Sequence, residues 1–427
     1  VKPSRPQRSS PEAVIVAATR SPVGRAFKGS LSGVRPDDLA ATVIEAALGQ
    51  VPELDRSEID DLLLGCGAPG GHQGFNMARV VAVLLGLDQA GGTTVTRYCA
   101  SSLQSTRMAM HAIRAGEGSV FISAGVEAVS QSRLGTSDSP PVAADADPRD
   151  RSANPWVNPR FADAQQRTRD RAAAGVQGWE DPRNDGDLPD VYIAMGQTAE
   201  NVAQVRGVTR SAQDEFACRS QQRAVDAQKA GFFGREITPI ETVDGLASED
   251  DSLRPGTTVE QLSALKPVFR PDGTVTAGNC CPLNDGAAAL VVMSDVKASE
   301  LGVTPLARIV STAVVGLSPE LMGMGPVEAS TRALALAGLT IDDIDLVEIN
   351  EAFAAQAIPC ADELGVDGDR LNVHGGAIAI GHPFGMTGAR LTTTLINALQ
   401  SRDEALGLET MCVGGGQGMA MVIERLS

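Results

Sequence analysis

Cys99 stands in the run Arg97, Tyr98, Cys99, Ala100, Ser101, Ser102, between a β-favouring TTVTR segment and a helical pattern. A cysteine at such a corner meets the unpaired amides of a helix N-terminus, whose partial positive charge favours a thiolate and so a nucleophile. A small buried core cysteine is the competing reading. A second segment, Asn372 to Gly388 (NVHGGAIAIGHPFGMTG), sets His382, one of four histidines in the chain, between Gly381 and Pro383. With no side chain before it and no amide donor after it, the backbone can bring the imidazole close to a partner, and histidine is the usual base for a thiol.

Met411 to Ala420 (MCVGGGQGMA) puts Cys412 at a strand end, ahead of glycines whose amides are free to face an oxyanion. One cysteine can then hold an acyl group while the other moves a proton at carbon, which is the division that carbanion chemistry requires. Asn350, opening NEAFA after a strand, offers an amide to a water or a carbonyl, and Phe353 offers a wall for an acyl pocket. Taken singly, each residue also fits a plain structural role.

The elements that must carry these corners follow an α/β pattern. Ala13 to Ala18 (AVIVAA) reads as a strand and Asp37 to Leu48 as a helix. Ile59 to Gly65 is a second strand, and Asn76 to Leu87 a helix with Ala78, Val81, Val83 and Leu84 toward one side. Thr93 to Arg97 is a strand, Cys99 to Ala115 a helix stopped by Gly116, and Val120 to Ala124 a strand. Helices are expected over Met195 to Val205 and over Ser211 to Ala230, the second capped by Ser211. Late in the chain the order recurs: strand Asp345 to Asn350, helix Arg390 to Gln400, strands Thr410 to Val413 and Met419 to Glu424 joined across Gly414 to Gly418. The recurrence raises an internal duplication, although the two halves share little residue identity.

Between Ser130 and Pro189 the periodicity lapses into Pro, Asp, Arg, Asn and Gly. Trp156, Phe161 and Trp179 lie there in a chain with only 3 % aromatic residues, so a partly ordered excursion packed on the body or on a second subunit is expected. With 427 residues, 43 % of them hydrophobic, two domains are the default. The formal charge of −17 argues against nucleic-acid binding, which needs a basic stripe, but leaves room for a small phosphorylated ligand. Seven cysteines form neither a CxxC pair nor a zinc spacing, which points to free thiols in a reducing compartment. No apolar run is long enough for a bilayer, Val1 to Ser10 reads as a flexible tail, and Arg425, Leu426, Ser427 is not a peroxisomal tripeptide, so the cytoplasm is expected.

Taken together, the segments resemble the thiolase family from about Glu12 onward. MGQTAENV from Met195, LKPVFRPDGTVTAGNCCPLNDG from Leu265 and MGMGPV from Met322 follow in the family's order. The resemblance implies an α/β five-layer αβαβα sandwich of two similar halves. These would be residues 1–125 plus 284–304 and 305–427, with a loop domain over 126–283. It implies the acylated nucleophile at Cys99, its activating base at His382, and at Cys412 the acid/base for the substrate α-carbon and the CoA sulfur. Asn350, through a water, would join His382 in one oxyanion hole, and the backbone amides of Cys99 and Gly414 would form the other. Arg254, Met195, Cys281, Met322 and Phe353 fall where the family contacts CoA and its pantetheine arm.

The chain departs from the pattern with Cys280 and Cys281 where many members have a serine, with Ala194 in place of a histidine, and with a longer 130–189 insertion. The activity implied is thiolysis of a 3-oxoacyl-CoA or the reverse Claisen condensation, by a ping-pong acyl-cysteine route. CoA and acyl-CoA enter as substrates, with no metal and no permanently bound cofactor. A homodimer or homotetramer is implied, with β-oxidation enzymes as partners. A decarboxylating ketoacyl synthase, which pairs its cysteine with two histidines or a histidine and an asparagine, and a non-catalytic CoA-binding subunit are the competing readings.

Overall fold

The protein is described by a computed structural model covering residues 10–141, 154–175 and 178–427. The tail expected over Val1 to Ser10 falls, apart from Ser10, outside these residues, as do stretches 142–153 and 176–177 of the insertion.

Nine strands form the frame: β1 (Ala13–Arg20), β2 (Asp61–Gly65), β3 (Thr93–Val95), β4 (Val120–Ala128), β5 (Asn284–Ser294), β6 (Ala307–Gly316), β7 (Leu346–Ile349), β8 (Leu406–Val413) and β9 (Gln417–Arg425). The order across the first half is β3, β2, β4, β5, β1, and across the second β7, β8, β9, β6. A parallel bridge from Val347 to Leu371 fills in the second half the place that β3 has in the first. Within each half the first strand lies at the inner edge and the fifth beside it, so the element order repeats. The duplication raised by the sequence is therefore visible in topology where residue identity was silent.

The halves join edge to edge where β1 pairs with β6 through Val14 with Arg308 and Ile15 with Ala307. Strands β5 and β6 were not singled out by the sequence. Strand β5 is buried along its whole length, without the alternation that marks a half-exposed strand, whereas β6 is interrupted by Arg308, Ser311 and Thr312 and leaves Arg308, Val310 and Val314 partly exposed.

Helices α1 (Pro36–Gly49), α2 (Met77–Leu84), α3 (Ser101–Ala115), α4 (Ala162–Ala174), α5 (Met195–Arg206), α6 (Arg210–Lys229), α7 (Gly325–Ala337), α8 (Ala354–Leu364) and α9 (Thr387–Arg402) complete the layers. Alternation along β1 shows how they stack. Ala13 and Ile15 join a core that contains Leu103, Met110 and Ile113 of α3 and Leu391, Leu395 and Leu399 of α9. Val14 and Val16 point the other way, into a core with Val43 and Ile44 of α1 and Met77 and Val81 of α2. On the far side, α7 and α8 bury Ala329, Ala333 and Ala357 against Val347, Ile349 and Leu408. The packed pair α3 and α9 is thus the middle of five layers, with each of its neighbouring sheet halves covered on the outside by helices.

Several boundaries differ from expectation for local reasons. Helix α2 buries Ala78, Val81 and Ala82, one face at i, i+3, i+4, and leaves Val83 and Leu84 exposed. Helix α6 is capped by Thr209, whose hydroxyl accepts from the Ala212 amide at 3.2 Å, and not by Ser211. Strand β3 stops at Val95, because Thr96 turns its hydroxyl to the Gly67 carbonyl at 2.9 Å and the chain bends toward Cys99.

One carboxylate gathers several parts of the insertion onto the body. Buried Glu320 accepts from the indole of Trp179 at 2.7 Å, from Arg171 of α4 at 3.1 Å and from the Asp190 amide at 2.9 Å. Phe161 meets Tyr192 edge-on at 5.5 Å, whereas Trp156 is half exposed.

Candidate functional site

The site forms where the N-terminal ends of the two central helices meet. Helix α3 was expected from Cys99, but the chain first makes a tight turn, Tyr98–Ala100, and the α-helix starts at Ser101. Tyr98 enters this turn with φ +44, a left-handed conformation that costs a bulky residue roughly 1–2 kcal/mol. The turn is pinned by the Ser101 hydroxyl, which accepts from the Arg97 amide at 2.9 Å and donates to the Tyr98 carbonyl at 2.7 Å. The Cys99 sulfur thereby faces the backbone amide of Gly414 as well as its own.

The thiolate expected from the helix terminus does not follow. Burial pushes the Cys99 thiol up to about 12, the Gly414 and Cys99 amides only partly offset this, and the Glu127 carboxylate adds to the rise. Taking a charge out of water outweighs two amide dipoles, so the resting group is a neutral thiol.

His382 reaches the same place from the second half. Gly381 has φ +122, and a Cβ there would stand 2.7 Å from the side chain of Asn284, whose Oδ1 accepts the His382 amide at 3.0 Å. Glycine is needed for both the conformation and the space. The ring is oriented by Thr387, the first residue of α9. The Thr387 hydroxyl donates its one hydrogen to the Pro383 carbonyl at 2.7 Å, so toward the His382 Nδ1 at 2.7 Å it can only accept. Nδ1 therefore carries the ring hydrogen, and Nε2 presents a lone pair that accepts from Asn350 Nδ2 at 3.3 Å. Burial holds the imidazole neutral, with its pKa down at about 3.

Cys412 is fully buried near the end of β8, paired across the hairpin with Gly418. Burial pushes its thiol well above the ordinary range, and the thiols of Cys99, Cys360 and Cys281 are close enough to push it further. The stretch from Asn279 to Cys281 is laced to the loop after Asn350: the Cys281 amide donates to Ala352 at 3.0 Å and the Ala354 amide to Asn279 at 2.9 Å. Phe353 and Met322, both buried, pack with Cys412 in one apolar cluster, against which Met195 and Cys280 lie half-buried. Arg254 is exposed and acts electrostatically on Cys280, while its amide donates to Gln221 at 2.9 Å.

All the expected residues thus fall in one neighbourhood, with Arg254 at its rim. Sequence reasoning missed Thr387, Asn284 and Glu127. Glu127 is buried, and its carboxylate accepts amides from both halves, Gly67 at 2.7 Å and Gly385 at 2.8 Å. Desolvation raises it to about 7. Only Thr387 carried a local signal, as the hydroxyl five residues beyond the histidine at a helix start. A cavity of about 430 Å³ between α5 and residues 270–274 is lined by Arg270, Gln204 and Thr209 and by none of these catalytic candidates.

Comparison with known proteins agrees with the architecture. Residues 13–296 match the family description "Thiolase, N-terminal domain" and residues 303–425 match "Thiolase, C-terminal domain". The 3-ketoacyl-CoA thiolase of Bacillus subtilis (strain 168) is 43 % identical, over 97 % of this chain and 99 % of the relative. The 3-oxoadipyl-CoA/3-oxo-5,6-dehydrosuberyl-CoA thiolase of Escherichia coli (strain K12) is also 43 % identical, over 97 % of this chain and 100 % of the relative. Human mitochondrial 3-ketoacyl-CoA thiolase, solved in complex with CoA, superposes with a TM-score of 0.81 at 34 % identity, covering 98 % of this chain and 99 % of that one. With a two-half sandwich matched from end to end in both sequence and structure, the chain belongs to the thiolase family, acyltransferases that cleave 3-oxoacyl-CoA thioesters or form them by Claisen condensation.

Proposed function

We propose that Cys99 is the nucleophile that carries the acyl group, His382 the base that takes its proton, and Cys412 the acid/base at the α-carbon and the CoA sulfur. The observation that carries this reading is that the Cys99 thiol faces the Gly414 amide beside the Cys412 thiol, while His382 keeps an unprotonated Nε2 toward Asn350, whose backbone amide donates to the carbonyl of Thr410, two residues before Cys412. With a thiol held up at about 12 and an imidazole held down at about 3, a free ion pair is strongly disfavoured at rest. The proton therefore leaves sulfur only as sulfur bonds to the carbonyl carbon of the acyl group it takes up, the 3-oxo carbon in thiolysis and the thioester carbon in condensation, which is general-base catalysis. Once protonated, Nε2 changes from acceptor to donor and can hold the thioester oxygen, helped by a water on Asn350, whose Oδ1 has no partner among the described residues. Negative charge developing on the other carbonyl oxygen would be met by the amides of Cys99 and Gly414.

Met195, Met322, Phe353 and Cys281 would line the acyl and pantetheine path, and Arg254, exposed at its rim, would meet the charged end of CoA. The substrate would be a 3-oxoacyl-CoA, the class named for the relatives, with no permanently bound cofactor. The same reading includes the division into halves 1–125 plus 284–304 and 305–427 with a loop domain over 126–283. It also includes a homodimer or homotetramer in the cytoplasm, working beside β-oxidation enzymes. No helix of the described residues is long and apolar enough to cross a membrane. The test is incubation of the pure protein with acetoacetyl-CoA and CoA while the enolate absorbance is followed. Loss of absorbance with an acyl mass on the Cys99 peptide is expected; a stable absorbance, or an acyl group on Cys412, would refute the assignment.

A further inference from the structure

Glu127, next to last in β4, is buried between the two loops that the chemistry depends on. Its Oε2 accepts the Gly67 amide at 2.7 Å and the Gly385 amide at 2.8 Å, while Oε1 faces the Ala68 amide at 3.2 Å and the Gln73 side-chain nitrogen at 3.3 Å. Gly67 follows β2 and lies against the nucleophile turn: a Cβ on it would stand 3.3 Å from the Tyr98 carbonyl and 2.6 Å from Phe384. Gly385 belongs to the loop that carries His382, and Phe384 between them sets its ring edge-on to the imidazole at 5.2 Å. The approach is close enough that a Cβ on Gly125 would fall 2.0 Å from the Gly385 carbonyl. One carboxylate therefore holds together a first-half loop against the Cys99 turn and the second-half loop that carries His382.

These four partners are N–H donors and a fifth, the Cys66 thiol at 4.0 Å from Oε1, is a weak S–H donor, an arrangement that suits a carboxylate with its several acceptor sites. A protonated acid turns its own hydrogen toward one of the groups around it, and the oxygen that carries it becomes a poorer acceptor for the N–H donors that remain. We propose that Glu127 is a positioning residue for the thiolase reaction, locking the His382 loop onto the nucleophile corner as a carboxylate and loosening it when protonated. The inference rests on the assignment of Cys99 and His382 made above. Burial raises this carboxyl to about 7 against the four hydrogen bonds, so both forms are populated near neutral pH. The titratable groups facing it are Cys66, whose Sγ is 4.0 Å from Oε1, and Cys99, and both thiols are pushed upward. With His382 held at about 3 as well, neither catalytic partner changes charge near neutrality, and Glu127 does.

The experiment is the pH profile of kcat and kcat/KM for thiolysis of acetoacetyl-CoA by the intact protein and two variants, with circular dichroism to verify folding. The unmodified enzyme is expected to rise through an acid limb near pH 7. Gln73→Leu removes one donor to the anion, so its limb should move to higher pH. Glu127→Gln cannot titrate, so its limb should vanish, with kcat lower by about ten- to a hundredfold, the scale of a displaced catalytic group, and KM much less altered. If Glu127→Gln does not fold, the direction of the Gln73→Leu shift still decides. An active enzyme whose limb stays in place in the folded variants would overturn this inference alone. Absence of thiolysis in the unmodified protein would instead overturn the functional reading on which it stands.

Discussion

Replacing Thr387 with valine tests the tautomer of His382 with almost no change in shape. The Thr387 hydroxyl accepts the Nδ1 hydrogen at 2.7 Å inside a fully buried pocket, and valine offers a methyl in its place. The imidazole then has two options. It can keep Nδ1–H unpaired, at the 1–3 kcal/mol that an unsatisfied buried donor costs, or move the hydrogen to Nε2, which removes the lone pair that faces Asn350 and that the proposed base needs. Both raise the barrier to deprotonating Cys99. At about 1.4 kcal/mol per factor of ten, kcat/KM should fall roughly ten- to a hundredfold, with the loss in kcat, because no contact to CoA is removed. Thr387→Ser keeps the hydroxyl and should stay within about threefold of the unmodified enzyme. The assay is steady-state thiolysis of acetoacetyl-CoA, with the rate of Cys99 alkylation by iodoacetamide as a readout that needs no substrate. A valine variant at full rate, or a serine variant as slow as the valine one, would refute the reasoning.

The two catalytic cysteines separate by half-reaction: Cys99→Ala should form no acyl-enzyme, whereas Cys412→Ala should still gain acyl mass on Cys99 while condensation falls by about a hundredfold or more, the scale of a lost general base. Intact-protein mass spectrometry and a condensation assay distinguish them. Cys281→Ser should leave kcat near its starting value and change KM for CoA by about tenfold or less, since one weak contact is worth roughly 1 kcal/mol. Trp179→Phe removes one of the three donors to Glu320, two residues before Met322, and is expected to change KM for longer acyl-CoAs more than for acetoacetyl-CoA; a uniform change across a chain-length series would show that the insertion does not shape the pocket. Burial raises Glu409 and Glu348 from the ordinary 4.5 to about 8, so the folded state holds their protons longer than the unfolded chain does. Their contribution to stability is complete below about 4.5 and lost as pH rises to about 8, so the Tm should fall over that interval, and less steeply in Glu409→Gln.

What the sequence made legible follows from how local each signal is. The corners at Cys99, His382, Asn350 and Cys412 could be read because nucleophile, base and oxyanion donors demand particular residue types beside glycine or proline, all within a few positions. Strand β1 followed from its β-branched run and helix α3 from its stop at Gly116. Strands β5 and β6 escaped because β5 opens on Asn284, Asp285 and Gly286 and β6 is interrupted by Arg308, Ser311 and Thr312, so neither begins as an unbroken apolar run. Glu127 and Asn284 escaped for a different reason: Glu127 meets Gly385 across 258 positions, and Asn284 meets His382 across 98. Nothing beside either residue announces its partner. At Cys99 the amides lower the thiol as the helix terminus suggests, but burial pushes it further the other way, and depth of burial is not visible in sequence.

The strand order also dictates when this protein can first become whole. Strand β9, late in the chain, lies in the interior of its sheet half between β8 and β6, and β6 pairs with it from Gly316 at one end to Ala307 at the other, with one register shift at Val310. A chain synthesised from its N-terminus must therefore hold most of β6 unpaired while some hundred further residues are made, and an unpaired apolar strand is an open template for pairing with another molecule. The first half faces the same delay on a smaller scale, since β5 must enter between β4 and β1 only after the long excursion through α4, α5 and α6. Slow, long-range strand insertion of this kind makes the nascent chain dependent on protection from aggregation, and no thiol can be activated before the last strand has closed.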